Sequence, residues 1–130
     1  MHKESKKIET AEAPKAIGPY SQAILAGDFL FVSGQIPIDP ATGQVVERTI
    51  AAQTNQVLNN IASILKEAGR TFAHVVKTEV YLKDLNHFKE MNEIYANWFT
   101  APIKPARQAM QVGMLPLDVL VEISCIVYMG

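Results

Sequence analysis

The chain has 130 residues, of which 48% are hydrophobic and 19% are charged, so it carries enough apolar material for one folded domain and does not have the composition of a disordered protein. A formal net charge of −1 argues against the basic surface that neutralises phosphates, and we expect no nucleic acid partner. A single cysteine, Cys125, and three histidines without ligand spacing argue against disulfides, a metal site and an oxidising compartment. The polar N-terminus and the lack of a long apolar run predict a cytoplasmic protein without a membrane segment.

The first third of the chain predicts a lead-in followed by a β-hairpin. We treat residues 1–130 as a single domain, in which the polar residues 1–12 are expected to form a flexible lead-in. A Gly-Asp turn signal separates two apolar segments, so strands are predicted over residues 22–25 and 29–32. The prolines and the glycine within residues 37–43 are typical of an irregular loop.

Two helices and a strand are predicted in the middle of the chain. Apolar residues recur every three or four positions over residues 49–68, with Thr49 as the N-cap and Gly69 as the terminator. Residues 75–82 alternate between apolar and polar side chains, which predicts a half-buried strand. A second apolar stripe follows a cap at Asn86 and ends before two prolines, which predicts the second helix.

The last two strands decide the predicted fold class. With strands over residues 107–112 and 119–128, the element order becomes strand, strand, helix, strand, helix, strand, strand. This order predicts an α+β sandwich in which both helices pack on one face of a mixed sheet. Apolar residues occupy both faces of the last strand, as in a strand that is buried on both sides. We therefore expect another subunit to cover the second face of the sheet.

Arg107 and Glu122 are the charged residues whose positions indicate chemistry. Arg107 opens a strand beside apolar residues, and its guanidinium can bind a carboxylate through two parallel hydrogen bonds, although a surface arginine or an ion pair is the simpler alternative. Glu122 interrupts an apolar strand, where a carboxylate is costly unless it is paired. It can act as a general base or orient a water molecule, but an Arg107–Glu122 salt bridge explains both residues equally well.

Four further residues are candidates for lining a binding pocket. In Ser33-Gly34 the glycine lets a ligand approach the backbone and the serine can donate a hydrogen bond, whereas the alternative is an ordinary β-bulge. Tyr20 can cap a pocket or simply pack, and Asn92 can reach a substrate or bond a nearby loop. No nucleophile elbow, phosphate-binding loop or dinucleotide motif occurs, so no cofactor is expected.

Taken together, these segments resemble the Rid (YjgF) family. The matching segments are residues 16–22, 33–37, 42–43, 76–78, 82–85, 91–95, 105–107, 115–116 and 121–123. The resemblance implies a chorismate-mutase-like α+β fold that assembles as a homotrimer with active sites between subunits. It also implies 2-iminobutanoate/2-iminopropanoate deaminase activity, the cofactor-free hydrolysis of reactive 2-imino acids to 2-keto acids and ammonia.

The resemblance further implies roles for individual residues. Arg107 would bind the substrate carboxylate, and Glu122 would hold or activate the attacking water. The residues implied to line the pocket are Tyr20, Ser33, Gly34 and Asn92. Two departures lie beside Arg107 in the sequence and leave the substrate preference open, namely Gln108 where serine is common and a short segment over residues 100–104.

Two other functions compete with the deaminase. A non-catalytic trimeric module that binds small carboxylates or acts as a holdase would use Arg107 in the same way, but it would gain nothing from the negative charge of Glu122. A ribonuclease or translation inhibitor, labels that are also attached to this family, would need histidine pairs and basic grooves, which the sequence lacks.

Overall fold

A six-stranded mixed sheet carries two helices on one of its faces in the computed structural model, which describes residues 4–130. The strands of this sheet are β1 (Lys6–Ile8), β2 (Ala23–Ala26), β3 (Phe29–Gln35), β6 (Val75–Leu82), β7 (Ala106–Gln111) and β8 (Val121–Tyr128). A separate hairpin consists of β4 (Ile38–Asp39) and β5 (Gln44–Val45), and the helices are α1 (Ile50–Glu67) and α2 (Phe88–Trp98). The strand order is β1-β2-β3-β8-β6-β7, and β7 runs parallel to β6 while the other pairs are antiparallel. The predicted α+β fold class is therefore confirmed.

Helix α1 begins and ends where its sequence signals stand. The side chain of Thr49 accepts a hydrogen bond from the backbone N–H of Ala52 at 3.1 Å, which satisfies one of the free donors of the first turn. At the other end Gly69 adopts a φ of 71°, and the N–H of Arg70 donates to the carbonyl of Leu65 at 2.8 Å. This is the glycine-terminated Schellman arrangement, so the helix predicted over residues 49–68 is confirmed.

The core lies between the two helices and the sheet. Leu30 from β3, Val80 from β6 and Ile123 from β8 are fully buried, as are Val57 and Leu58 of α1. Along β8 every second residue from Val121 to Val127 is buried, so this strand directs one face towards the helices and the other away from them.

The predicted flexible lead-in over residues 1–12 is wrong for the part that forms β1. Lys6–Ile8 pair with β2, and the N–H of Thr10 donates to the side-chain oxygen of Gln22 at 2.8 Å. The buried amide of Gln22 also donates to the carbonyl of Pro14 at 2.8 Å. A three-residue strand with one apolar side chain, Ile8, shows no periodic hydrophobic pattern, although that side chain packs against the core. Residues 1–3 lie outside the described residues.

Two smaller differences concern a loop and a strand face. The irregular loop expected over residues 37–43 includes β4 and the turn of a short hairpin, whose second strand, β5, follows directly at residues 44–45. In β6 the register shifts between Val75 and Lys77, so Val75 is buried and Val76 is exposed. The alternation predicted over residues 75–82 is therefore confirmed from Lys77 onwards and wrong at Val76, because a β-bulge inserts one residue without any signal in the polarity pattern.

The face of the sheet opposite the helices, called the open face below, carries aromatic side chains. Phe29, Phe31 and Tyr128 are 39%, 46% and 46% exposed, and the rings of Phe29 and Tyr128 lie 5.7 Å apart. Their exposure agrees with the expectation that another subunit covers this face, which stays a prediction. Within residues 4–130, neither helix is long and apolar enough to cross a membrane.

Candidate functional site

Arg107 lies at the edge of the sheet, where β7 meets α2. Its backbone is in register with Thr78 of β6, and its side chain extends towards the helix. One guanidinium nitrogen, Nη1, donates to Oδ1 of Asn92 at 2.6 Å. The guanidinium carbon lies 4.9 Å from the ring centre of Tyr95 and 5.4 Å from that of Phe88, which are distances of cation–π contacts. Three side chains of α2 therefore orient this one cation.

Tyr95 is itself held in place by contacts with Thr78 and Phe99. Its hydroxyl and the Thr78 hydroxyl form a buried hydrogen bond of 2.8 Å, and its ring stacks on Phe99 with centres 4.2 Å apart. Burial raises the pKa of the Tyr95 phenol, against smaller opposing effects of Thr78 and Arg107, so the ring stays neutral beside the guanidinium. Because only one of the five guanidinium N–H groups is engaged with Asn92, the others are available to a ligand.

A groove of about 520 Å³, called the Arg107 groove below, adjoins this cation. It is lined by Asn92, Tyr95, Ala96, Phe99, Lys104, Pro105 and Arg107. Two of the lining residues are cations and none is acidic. The groove therefore suits a small anionic ligand, with aromatic and aliphatic walls for its carbon skeleton.

Glu122 lies in β8 on the open face, opposite Tyr81 of β6. It is half-buried, and burial raises the pKa of its carboxyl above the ordinary value. Its side chain lies against the backbone of Gly34, where a Cβ atom would overlap the carboxylate. Glycine is thus required for this close approach. None of the salt bridges formed within residues 4–130 involves Glu122.

Tyr20 and Ser33 surround the same glycine. Tyr20 is 53% exposed and borders a small cavity of about 50 Å³ that Gly34 also lines. The register of β3 against β8 shifts between Val32 and Gln35, so Ser33-Gly34 does form an irregularity in the strand. The Ser33 hydroxyl donates to the carbonyl of Ser21 at 2.6 Å, and it can therefore only accept a further hydrogen bond from a ligand.

The candidate residues fall into two groups on opposite faces of the sheet. Arg107 is in register with Thr78, Glu122 is in register with Tyr81, and the strand between Thr78 and Tyr81 is regular. Residues three apart in a strand point to opposite sides, so Arg107 lies on the helix side and Glu122 on the open face. The alternative of an Arg107–Glu122 salt bridge within one chain is therefore wrong.

The two departures from the family pattern separate in the same way. Gln108 is in register with Glu79 and so lies on the open face, directed away from the Arg107 groove. The short segment over residues 100–104, in contrast, forms the wall of the groove through Lys104. Only this second departure borders the proposed carboxylate site.

Three residues near the guanidinium of Arg107 were not predicted from the sequence: Tyr95 and Lys104, which line the groove, and Phe88, whose ring contacts the guanidinium. Tyr95 and Phe88 were counted only as members of the apolar stripe of α2, and Lys104 was not considered individually. The spacing contained a usable signal for Tyr95, because it follows Asn92 by three positions and so lies on the same helix face. No comparable signal exists for Lys104, whose position depends on how the loop folds back.

The described residues give little support for a metal site, a cysteine nucleophile or a catalytic histidine. No group of three or more His, Cys, Asp or Glu residues that could hold a metal ion occurs among residues 4–130. Burial raises the pKa of the Cys125 thiol to about 12, so it is a poor nucleophile. His74 accepts a hydrogen bond from the N–H of Thr71 at 3.1 Å and completes a local turn.

The architecture and the site define a small α+β protein with a groove at the edge of its sheet that is lined by two cations and no acidic residue. The sequence profile of the endoribonuclease L-PSP family matches residues 10–129. A RutC family protein of Pyrococcus horikoshii is 58% identical over 93% of this chain and 95% of its own. The human 2-iminobutanoate/2-iminopropanoate deaminase is 47% identical over 95% of this chain and 89% of its own. A crystal structure of the Rid family protein YyfA from Yersinia pestis superposes with a TM-score of 0.94 at 47% identity, covering 96% of this chain and 99% of that one.

The chain therefore belongs to the endoribonuclease L-PSP family, which includes the Rid proteins. The resemblance predicted from the sequence is confirmed.

Proposed function

We propose that this protein is a cofactor-independent deaminase that hydrolyses reactive 2-imino acids and their enamine tautomers, such as 2-iminobutanoate and 2-aminoacrylate, to 2-keto acids and ammonia. The observation that carries the proposal is the preorganised guanidinium of Arg107 in a groove without acidic residues. A planar carboxylate next to the C=N bond is the feature that all 2-imino acids share. The name of the human relative, which is 47% identical over most of both chains, supports the same activity.

The proposed reaction needs positioning and one proton shuttle. Arg107 would bind the carboxylate, and water would add to the carbon of the C=N bond while Glu122 accepts a proton from that water. Glu122 would then pass that proton to the nitrogen, which gives a carbinolamine with a hydroxyl and an amino group on one carbon. As the C=O bond forms, Glu122 would take the hydroxyl proton and pass it to the amino group, the C–N bond would break, and ammonia and the 2-keto acid would leave. The raised pKa of Glu122 suits a group that must both accept and release a proton. Because an imine is already electrophilic, this arrangement needs no strong nucleophile.

A complete site would require two copies of the chain. Arg107 with Asn92 lies on the helix side, whereas Glu122 lies on the open face against Gly34, and Tyr20 borders a cavity that Gly34 also lines. We therefore propose a homotrimer in which each active site combines the Arg107 groove of one subunit with the Glu122 region of another. The exposed aromatic residues of the open face supply an apolar surface for such an interface.

The second candidate is a trimeric module that binds small carboxylates without turning them over. The same Arg107 groove favours it, because binding requires the guanidinium and not the carboxylate of Glu122. The two functions differ in what Glu122 does, so loss of its charge would separate turnover from binding. The ribonuclease named in the family description is a weaker candidate, since a pair of histidines is not part of the Arg107 groove.

The direct test is a coupled assay that generates 2-aminoacrylate or 2-iminobutanoate in situ and follows its decay. We expect wild-type protein to accelerate the decay and Arg107→Ala to lower kcat/KM on the order of a hundredfold, because a bidentate charged interaction is lost. Lys89→Ala is the matched control, since Lys89 is an exposed cation of α2 that does not line the groove. Equal rates with and without well-folded wild-type protein would exclude the deaminase.

A further inference from the structure

The Arg107 groove contains a second cation that the proposed reaction does not use. Lys104 lies just before β7, and its ammonium donates to the carbonyl of Phe99 at 2.7 Å and to that of Ala101 at 2.8 Å. These bonds fix the ammonium beside the groove and use two of its three N–H donors, so one donor remains. The salt bridges within residues 4–130 are Lys7–Glu9, Lys77–Glu79 and Lys83–Asp118. Both cations of the groove are therefore without a carboxylate partner in the described part of the chain.

Capping of α2 explains only part of this arrangement. Phe99 and Ala101 follow the end of the helix, where a cation interacts favourably with free carbonyl groups. Neutral carbonyls cannot cancel a full positive charge, however, and Lys104 shares one groove with the guanidinium of Arg107. Two like charges in one concavity repel each other and together attract an anion that carries two charges.

The shape of the groove points to the same class of ligand. Its volume of about 520 Å³ lies within the usual range of small-molecule sites and leaves room beyond a four-carbon imino acid. The rigid guanidinium fork suits the planar carboxylate next to the reacting carbon, while an ammonium is a point charge that tolerates variable geometry. The side chains of Ala96 and Phe99 supply apolar walls for the methylene groups between two carboxylates.

We propose that Lys104 is a specificity-determining residue that binds a second carboxylate, so that the site favours 2-imino dicarboxylic acids over 2-imino monocarboxylic acids. The second carboxylate takes no part in the chemistry: water adds across C=N, ammonia leaves, and both carboxylates remain in the keto product. The reaction part of this inference rests on the proposed function, whereas the binding preference is independent of it.

Binding of unreactive analogues tests the preference without turnover. Succinate, glutarate and butanoate are titrated calorimetrically into the full-length protein at low ionic strength. We expect the better dicarboxylate to bind about fivefold more tightly than butanoate, because one additional charge-assisted contact forms at a solvent-exposed site. Lys104→Gln should remove most of this preference, Lys104→Arg should keep it, and Lys89→Gln should have no effect.

Two outcomes would overturn the proposal. Equal affinity of wild-type protein for butanoate and both dicarboxylates would exclude a second anion site. Equally weaker binding of all three ligands by Lys104→Gln, with a matching loss of thermal stability, would show that Lys104 only caps the end of α2.

Measurements of turnover distinguish the proposed role of Lys104 from the proposed deaminase activity. Imines are generated in situ by amino-acid oxidases from an acidic and from a neutral amino acid, and Lys104→Gln is expected to raise KM more for the dicarboxylic imine than for the neutral one. Acceleration of the neutral imine with no advantage for the dicarboxylic imine would exclude the role of Lys104 and leave the deaminase intact. No acceleration of either imine would exclude the deaminase, while the calorimetric preference would still decide the role of Lys104.

Discussion

The two regions that carry the candidate residues are organised in different ways. In the Arg107 groove, side chains hold one another: Asn92 binds the guanidinium, Tyr95 lies beneath it, and Thr78 anchors Tyr95. Around Glu122 the contact is with backbone, because the carboxylate lies against Gly34 and forms no salt bridge within residues 4–130. A single chain thus presents a preformed binding groove on one face of its sheet and an unpaired, half-buried acid on the other. This difference predicts that the first region governs binding and the second governs turnover.

The largest effect that separates the two regions is expected from Glu122→Gln. The amide keeps the shape of the side chain but cannot accept a proton, so kcat should fall on the order of a hundredfold while KM changes little. Steady-state kinetics in the coupled assay measure both constants. Glu90→Gln, which changes an exposed acid of α2, serves as the control. Equal losses of kcat and of ligand affinity would contradict a role in activating water.

The pH dependence of kcat/KM tests the same role of Glu122 as the base. A base must be ionised, and burial raises the pKa of Glu122, so wild-type kcat/KM should fall as the pH decreases through a value above the ordinary glutamate pKa. The residual activity of Glu122→Gln should lack this limb. A limb that persists unchanged in the variant would assign the titration to another group.

A smaller loss is expected from Gly34→Ala. The new methyl group would overlap the Glu122 carboxylate and displace it, so kcat should fall roughly tenfold. The free energy of unfolding should change by less than about 1 kcal/mol, because the methyl meets the end of a flexible side chain and the backbone of Gly34 does not require glycine. Gly113→Ala is the matched control, since a Cβ atom there meets nothing nearby. Chemical denaturation with the coupled assay checks both quantities, and normal turnover by Gly34→Ala would show that the Glu122 position is not critical.

The smallest effect on activity is expected from Tyr95→Phe. The substitution removes the buried hydrogen bond to Thr78 but keeps the ring under Arg107, so kcat/KM should stay within about twofold. Stability should fall by about 1–2 kcal/mol, because the Thr78 hydroxyl loses its buried partner. Urea denaturation of Tyr95→Phe, Thr78→Val and the double variant isolates the pair. Full stability of Tyr95→Phe would contradict the anchoring role of Thr78.

The sequence was sufficient for elements whose signals are local. Helix α1 has a long apolar stripe, a capping threonine and a terminating glycine, and all three agree. Strand β1 could not be predicted, since a strand of three residues with one apolar side chain, Ile8, is too short to show a periodic pattern. Among the site residues, Arg107 and Glu122 stand out as charges in strands, but their faces depend on how β7 and β8 pair with β6. That register is a tertiary property, and the position of Lys104 likewise follows from the loop that folds back on α2.

Subunit mixing tests most directly whether the two regions meet between chains. Arg107→Ala and Glu122→Gln are each purified, then unfolded and refolded together in equal amounts. If each site takes its arginine from one chain and its glutamate from another, about a quarter of all sites after random mixing contain both residues, and a corresponding activity returns. A mixture of Gly34→Ala with Glu122→Gln, which both damage the same region, should show no gain over the average of its parents. We expect recovery in the first mixture only, and an Arg107→Ala and Glu122→Gln mixture that is no more active than its parents would contradict a site shared between subunits.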